Sequence, residues 1–262
     1  MNDTSLTDEK FWNEYWENVS LPSEIKRTEG ELLINILLDT FDKHLPKSKG
    51  STILEIGGSP GRYLAYMHKR FGYKIHSLDY SEIGYKKTIE NFQLLNLPVE
   101  IHNKDLFSDL SNLPKYDIVY SLGFIEHFYD LDLVIGKHLE LLKPGGILMV
   151  GVPNYSGINY WFLKRLAPKL LAVHNRAAMD SNSWKSFEEK FDLLTIFRGY
   201  IGGFEPQSFN RWEEKNFKTF TLKVVAKLLS MLLSSNFKFL RKFNSKTFSA
   251  YLIGVYKKPL QL

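Results

Sequence analysis

The sequence predicts an α/β protein with a doubly wound, mostly parallel sheet of seven strands and a helical cap. Two observations predict this class. Between residues 51 and 153, short apolar runs alternate with stretches of helical period, which is typical of βαβ units. These runs are apolar almost throughout, as expected for strands covered by helices on both faces. After Pro153 the alternation ends in an aromatic and basic region, which indicates a cap over the core.

The individual elements follow from the same patterns. Apolar residues recur at helical spacing over 11–16 and 31–41, which predicts two helices before the sheet. Five strands are expected at 51–57, 73–79, 99–105, 116–123 and 146–153. Helices are expected between them at 62–71, 81–96 and 128–142, the last stopped by Lys-Pro-Gly-Gly. The cap is expected to be partly helical over 154–180, 181–190 and 211–243, with strands within 191–204 and 248–258, the last antiparallel.

Composition excludes several classes of protein. The chain has no cysteine, which excludes disulfides, thiolate zinc sites and cysteine nucleophiles. Its net charge is only +5, and its basic residues are scattered up to the C-terminal quarter, so no nucleic-acid partner is expected. The N-terminus is polar and acidic, unlike a signal peptide, which predicts a cytoplasmic protein. The longest apolar stretch, 224–233, is shorter than the roughly 18 residues of a membrane span.

A glycine-rich turn carries the clearest functional signal. In ILEIGGSPGRY, residues 53–63, a strand brings Glu55 to a turn at Gly57, and a helix follows Gly61. Glycine suits such a turn because a Cβ would hinder the approach of a ligand to the backbone. Asp79 ends the next strand, where a carboxylate can accept hydrogen bonds from the ribose hydroxyls of an adenosine cofactor. The pattern therefore predicts a nucleoside-containing cofactor.

Residues 51–152 resemble the Rossmann-like class I S-adenosylmethionine-dependent methyltransferases. Glu55, Gly57 and Gly61 match the family's acid-x-Gly-x-Gly-x-Gly signature, whereas Ser59 replaces the middle glycine beside Gly58. The resemblance implies that Asp79 binds ribose, Asp105 meets the adenine amine, and SLGFIEHF (121–128) lines the methionine part. The cofactor contacts it implies are Tyr15, Glu55, Gly57, Gly58, Ser59, Gly61, Asp79, Tyr80, Asp105, Leu106, Leu122 and Gly123. We expect one domain over 1–262, with N-terminal helices at 1–50, the cofactor-binding core at 51–152, and the acceptor cap with C-terminal strands at 153–262.

Three residues are candidates for catalysis. A hydroxyl acceptor needs a base to take its proton. His127 follows the fourth strand and can be that base, position the acceptor, or simply pack the next helix. Glu126 can be a base, orient His127, contact the methionine amine, or be solvated. His174, with Asn154, lies in an insertion similar to that of bacterial methyltransferases of surface-polysaccharide biosynthesis, which predicts an acceptor pocket.

Metal binding is not expected. Glu126-His127 resembles the end of the metal-binding Glu-x-x-Glu-His motif of small-RNA 3′-end methyltransferases. The first glutamate of that motif would fall at Gly123, so the ligand set is incomplete.

The two ends of the chain leave alternatives open. In the N-terminal helix, Tyr15 is expected to contact the cofactor, and Trp12 to pack in the core. Near the C-terminus, the basic and apolar stretch 217–243 is either a lid helix with a solvated basic face or a helix that rests on a membrane surface.

The expected reaction is methyl transfer from S-adenosylmethionine to an oxygen of a sugar, glycan or related small metabolite. A quinone-like or aromatic lipid is the alternative acceptor, because Glu126-His127 also resembles the ubiquinone-pathway O-methyltransferases. The alternative from a different functional class is a protein that binds S-adenosylmethionine without catalysing methyl transfer, which only Ser59 suggests. A nicotinamide dehydrogenase would not require Asp105 or the Glu126-His127 pair.

Overall fold

The computed structural model describes residues 4–27, 32–204, 216–232 and 243–260. Its helices are α1 (Glu9–Glu17), α2 (Leu32–His44), α3 (Arg62–Phe71), α4 (Glu82–Leu94), α5 (Leu131–Glu140), α6 (Gly157–Leu166), α7 (Pro168–Ala172), α8 (Trp184–Lys190) and α9 (Phe217–Met231). Its strands are β1 (Thr52–Ile56), β2 (Lys74–Asp79), β3 (Glu100–Asn103), β4 (Tyr116–Leu122), β5 (Leu142–Pro153), β6 (Leu194–Ile201) and β7 (Tyr251–Lys257). Short 3₁₀ turns lie at Ile125–His127 and Arg176–Met179.

The sheet has seven strands in the order β3-β2-β1-β4-β5-β7-β6. Strands β1 to β5 are parallel to one another, and β7 runs antiparallel between β5 and β6. This order confirms the predicted fold class, including the antiparallel last strand. The strand order reverses between β1 and β4, and ligands of open α/β sheets bind at such a point, beyond the carboxyl ends of the strands.

Each face of the sheet has its own apolar core. Residues of α2, α3 and α4 pack on one face, and residues of α5, α6 and α8 pack on the other. Strand β4 serves both cores, because Ile118 and Tyr120 lie in the first and Val119 lies in the second, all fully buried. The apolar pattern of the strands therefore reflects a doubly wound sheet, as predicted.

The structure differs from the prediction around the Lys-Pro-Gly-Gly segment. Helix α5 is shorter than the predicted 128–142, because a 3₁₀ turn and a capping aspartate, Asp130, precede it. The segment itself belongs to β5 rather than forming a stop before it. Its backbone is held by the end of the chain, since Lys258 N donates to the Gly146 carbonyl and Gly145 N donates to the Lys258 carbonyl. Pairing across the sheet thus overrides the local turn signal.

Asn154, at the start of the cap, is buried and connects two segments of the chain through hydrogen bonds. Asn154, which we expected in the acceptor pocket, donates its side-chain amide to the carbonyls of Lys246 and Ser249. It therefore fastens the end of β5 to the segment before β7. The predicted helix 211–243 contains α9, while 211–215 and 233–242 lie outside the described residues. Among the residues described, no helix combines the length and apolarity needed to cross a bilayer.

Candidate active site

A cavity of about 780 Å³ lies at the carboxyl ends of β1 and β2, beside the segment that follows β4. Residues 4–9, Phe11, Trp12 and Trp16 form its N-terminal wall. The complete lining is Thr4, Ser5, Leu6, Thr7, Asp8, Glu9, Phe11, Trp12, Trp16, Ile56, Gly57, Leu78, Asp79, Tyr80, Lys104, Asp105, Leu106, Phe107, Ser108, Phe124, His127 and Phe128. Its position at the reversal of strand order is where the fold predicts a ligand.

The glycine turn after β1 has two positions at which a side chain would not fit. Gly57 lines the cavity with a φ of +66°, and a Cβ there would lie 2.3 Å from the Phe124 ring. A Cβ on Gly58 would lie 2.0 Å from the Glu55 carboxyl carbon. Glu55 is therefore packed under the turn and does not line the cavity. Burial raises the pKa of Glu55 to about 8, against the opposing effects of the Tyr120 hydroxyl and Arg62.

Asp79 and Trp16 present two buried polar atoms without hydrogen-bond partners at one place. Asp79 Oδ1 accepts from Ser81 N at 2.9 Å, but its Oδ2 has no partner, and neither has the Trp16 indole nitrogen. Both atoms border Gly84, where a Cβ would lie 3.2 Å from Asp79 Oδ2 and 3.0 Å from Trp16 Nε1. An acceptor and a donor side by side suit a ribose hydroxyl, which both donates and accepts. Burial also raises the pKa of Asp79 to about 7, opposed by the amides of Ser81 and Ser59.

The remaining predicted cofactor residues divide into lining and supporting residues. Tyr80, Asp105 and Leu106 line the cavity beside Asp79. The others do not: the backbone of Gly123 bonds to the Gly151 carbonyl, and Leu122, Gly58 and Gly61 also lie outside the lining. Ser59 is buried, and its hydroxyl donates to the Gly84 carbonyl at 2.8 Å. The serine that departs from the family signature therefore anchors the turn to α4.

The aromatic residues of α1 differ in their position relative to the cavity. Trp12 and Trp16 line the cavity, whereas Tyr15, the expected contact, does not. Tyr15 instead packs edge-on against both tryptophans. Residues 12 and 16 lie four apart and therefore share one face of the helix, which residue 15 does not share with both.

The N-terminal segment before α1 was missed altogether. Leu6 N donates to the His127 carbonyl at 2.7 Å, and Tyr129 N donates to the Thr4 carbonyl at 3.0 Å. Ser5 and Phe128 form an isolated antiparallel bridge. Polar sequence without periodicity gave no hint of this pairing, which closes the cavity on the side of His127. Among the described residues the lining includes none from the insertions after β5 and β6.

The three candidate catalytic residues come together at the edge of this cavity. His127 lines it, and its Nε2 lies 3.9 Å from Glu126 Oε1. The His174 ring centroid is 4.5 Å from that of His127, although the two residues are far apart in sequence. Asn175 fixes the approach, because its N donates to the Glu126 carbonyl at 2.6 Å and its side chain donates to the Phe128 carbonyl.

Hydrogen bonds define the tautomer of His127. Its Nδ1 lies 2.8 Å from the Val173 carbonyl oxygen, which can only accept, so Nδ1 carries the hydrogen. In the neutral ring Nε2 is then an acceptor. Burial, followed by the neighbouring His174, lowers the pKa of His127 to about 3. Burial raises the pKa of Glu126 to about 8, and its Oε2 has no hydrogen-bond partner.

Within the described parts of the chain, two side-chain groups have a ligand set that could hold a metal ion. One is Glu126, His127 and His174, and the other is His76, Glu100 and His102. The second group lies on β2 and β3, where Glu100 pairs with His76 in the register of the two strands. Sequence analysis named all three residues of the first group as catalytic candidates but not that they lie together, because His174 is supplied by a segment beyond β5.

Comparison with known proteins identifies the family. A family model described as a methyltransferase domain matches residues 26–200. The ubiquinone biosynthesis O-methyltransferase of Pelagibacter ubique (strain HTCC1062) is 23% identical over 181 residues, which is 67% of this chain and 70% of that protein. Its counterpart from Chelativorans sp. (strain BNC1) is 45% identical over 40 residues, only 15% of this chain and 16% of that protein.

A solved structure agrees at the level of the fold. Geranyl diphosphate C-methyltransferase from Streptomyces coelicolor A3(2), crystallised with Mg²⁺, geranyl diphosphate and S-adenosyl-L-homocysteine, superimposes with a TM-score of 0.63. The identity is 11%, over 95% of this chain and 98% of that one. The cofactor is S-adenosylmethionine, in keeping with the partnerless atoms of Asp79 and Trp16. The chain belongs to the class I S-adenosylmethionine-dependent methyltransferases.

Proposed function

We propose that this enzyme methylates a hydroxyl group of a small molecule, and that Glu126, His127 and His174 receive that hydroxyl. One observation carries the proposal: a buried imidazole with a defined acceptor nitrogen borders the cofactor cavity. Asp79, Tyr80 and Asp105 would hold the adenosine part of the cofactor at the other side of the cavity. S-adenosylmethionine supplies the methyl group as an electrophile and departs as a neutral thioether.

His127 would accept the proton of the acceptor hydroxyl as the oxygen is methylated. Its Nδ1–H is held by the Val173 carbonyl, so the ring orientation is fixed before the acceptor binds. Glu126 Oε1 lies 3.9 Å from His127 Nε2, where its carboxyl would help to position the acceptor hydroxyl at that nitrogen. His174, packed against the same ring, would orient the acceptor rather than take the proton, because a second charge there would oppose the first.

The acceptor would be a phenolic ring rather than a sugar. Burial lowers the pKa of His127 and so makes it a weak base, which suits the hydroxyl of a phenol, with a pKa of about 10, better than the far less acidic hydroxyl of an aliphatic alcohol. The walls next to His127 are aromatic, with the Trp12 ring 4.9 Å from it and the Phe124 and Phe128 rings nearby. The two relatives named above are ubiquinone biosynthesis O-methyltransferases, which is consistent with a quinone-like acceptor.

Two measurements test this function. Isothermal titration with S-adenosylhomocysteine should show binding that Asp79→Ala abolishes. Transfer of labelled methyl groups should then be measured with catechol and with UDP-glucose as acceptors. Methylation of catechol that His127→Ala removes supports the proposal. Methylation of UDP-glucose instead would favour a sugar or glycan acceptor. Absence of S-adenosylhomocysteine binding would refute the proposed methyl transfer.

A binding protein without turnover is the alternative of another class. The only hint for it was Ser59, and the Ser59 hydroxyl is accommodated by a hydrogen bond to the Gly84 carbonyl. The turn therefore offers no sign of a damaged cofactor site. Tight S-adenosylhomocysteine binding with no methylation of any phenol, amine or sugar would favour this alternative.

A further inference from the structure

Helix α9 exposes an apolar stripe on the side that faces away from the core. Its inner stripe, with Thr219 and Ala226 buried and Leu222 and Leu229 half-buried, packs on the protein. The outer stripe includes Phe217, Val224, Val225 and Leu228, exposed by 81%, 41%, 46% and 54%, and continues to Leu232 at the C-cap, exposed by 48%. Surface helices of globular proteins usually carry polar residues on this side. A contiguous apolar face of this kind marks an interaction surface.

The neighbouring helix α6 extends this surface. The two helices pack together, and α6 exposes Trp161, Lys164 and Arg165. The Arg165 guanidinium lies 4.1 Å from the centre of the Trp161 ring. Both residues, with Gly157, Tyr160 and Lys164, line a shallow depression of about 520 Å³. Basic groups beside an exposed tryptophan are suited to phosphate groups at a water–lipid boundary.

The charge of this region is strongly asymmetric. From residue 216 to the end, the sequence has nine lysines and arginines and no aspartate or glutamate. The stretch 141–179, which contains α6 and α7, also lacks acidic residues. All 29 acidic residues therefore lie elsewhere, and the chain before residue 216 is net negative although the whole is +5. On α9 itself, Lys218 and Lys227 are exposed beside the apolar stripe.

We propose that the outer faces of α6 and α9 form a docking surface for an anionic lipid bilayer. The apolar stripe would enter the boundary between headgroups and acyl chains, and the basic residues would contact lipid phosphates. A second copy of the chain is a poorer occupant, because it would bring the same unbalanced lysines and arginines face to face. The surface belongs to the cap that also supplies His174 to the active site, so docking would place that site close to lipid-embedded molecules.

This proposal can fail independently of methyl transfer, because it concerns binding to lipid alone. Flotation should be measured with vesicles of phosphatidylcholine and with an equal mixture of phosphatidylcholine and phosphatidylglycerol. We expect binding to the mixture, release by added salt, and much weaker binding to phosphatidylcholine. Lys218→Gln with Lys227→Gln should weaken binding roughly 25-fold, at about five-fold for each lysine near an anionic surface. Phe217→Gln with Leu228→Gln should weaken it on the order of 100-fold.

Two control variants keep the test specific. Leu94→Gln replaces an equally exposed leucine, 56% accessible, on α4, and Lys86→Gln replaces an exposed lysine of the same helix. Both should bind vesicles like the unaltered protein, and every variant should retain its affinity for S-adenosylhomocysteine, which shows that it is folded. Absence of binding to anionic vesicles, equal losses in the α4 controls, or a dimer that Phe217→Gln with Leu228→Gln disrupts would overturn the proposal.

Discussion

Replacing Asp79 with asparagine should weaken cofactor binding and stabilise the protein at the same time. The carboxyl is buried at the end of β2, and one of its oxygens has no hydrogen-bond partner. Burial raises its pKa from 3.8 to about 7. The difference corresponds to roughly 4 kcal/mol at about 1.36 kcal/mol for each pKa unit.

The sign of the stability change follows from the direction of that shift. Below pH 3.8 the carboxyl is protonated in both the folded and the unfolded states, so it costs nothing. Between pH 3.8 and about 7 the unfolded chain is ionised while the folded one holds its proton, so stability falls as pH rises. Above about pH 7 the carboxyl is ionised in the folded state too, and the full free-energy cost of the buried charge is present. Asparagine is neutral throughout, and its gain at pH 8 should exceed that at pH 5 by roughly 2–3 kcal/mol.

Cofactor binding should change in the opposite direction. A hydrogen bond to a charged group contributes about 1.5–3 kcal/mol, so the loss of the carboxylate should weaken S-adenosylhomocysteine binding roughly 10- to 150-fold. The assays are urea unfolding at the two pH values and isothermal titration at pH 8. Asp117→Asn is the matched control: hydrogen bonds from Lys143 and Thr52 lower the pKa of Asp117 despite its partial burial, so its removal should destabilise the protein.

Asp79→Asn refutes the reasoning if it binds S-adenosylhomocysteine like the unaltered enzyme. An unchanged or reduced stability at pH 8 would equally show that Asp79 does not carry the cost of a buried charge.

Three further substitutions test the rest of the site. Gly58→Ala should cost about 1–3 kcal/mol in urea unfolding because its Cβ meets the Glu55 carboxyl, whereas Gly50→Ala, with open space but a φ of +85°, should cost only about 1–2 kcal/mol. Trp16→Phe should weaken S-adenosylhomocysteine binding roughly three- to ten-fold by removing one hydrogen-bond donor, and unchanged titrations would exclude Trp16 from the cofactor site. His127→Ala should lower kcat about 10²- to 10⁴-fold with little change in cofactor affinity, while His102→Ala, on the sheet edge, should leave kcat unchanged.

The part of the site that belongs to the sheet could be predicted from sequence. Glu55, Gly57 and Asp79 follow strands whose apolar runs are unmistakable, and the position of a strand fixes the position of the residue after it. For a residue assigned to the cofactor, however, the sequence did not reveal whether the side chain lines the cavity. Glu55 lies under the turn and Ser59 points to α4, because each side chain follows a local packing choice that the motif does not encode.

The part that belongs to long-range contacts could not be predicted. His174 meets His127 only because the 3₁₀ turn at Arg176–Met179 folds back on the 3₁₀ turn after β4. The segment around Leu6 pairs with the backbone of His127, and backbone pairing of this kind leaves no trace in side-chain periodicity. The Lys-Pro-Gly-Gly segment shows the opposite case. Its sequence predicts a break, but pairing with the neighbouring strands makes it part of β5.

The position of β7 in the sheet sets an order of assembly during synthesis. Among the described strands β6 pairs only with β7, and β7 follows it in the chain after the long segment between Ile201 and Tyr251. Until the residues of β7 have left the ribosome, β6 has no partner, and the edge of β5 remains open to the wrong strand. A chain cut before Tyr251 should therefore lose β6 to proteases while β1 to β4 stay protected, because the loss of β7 also removes the strand that β6 pairs with.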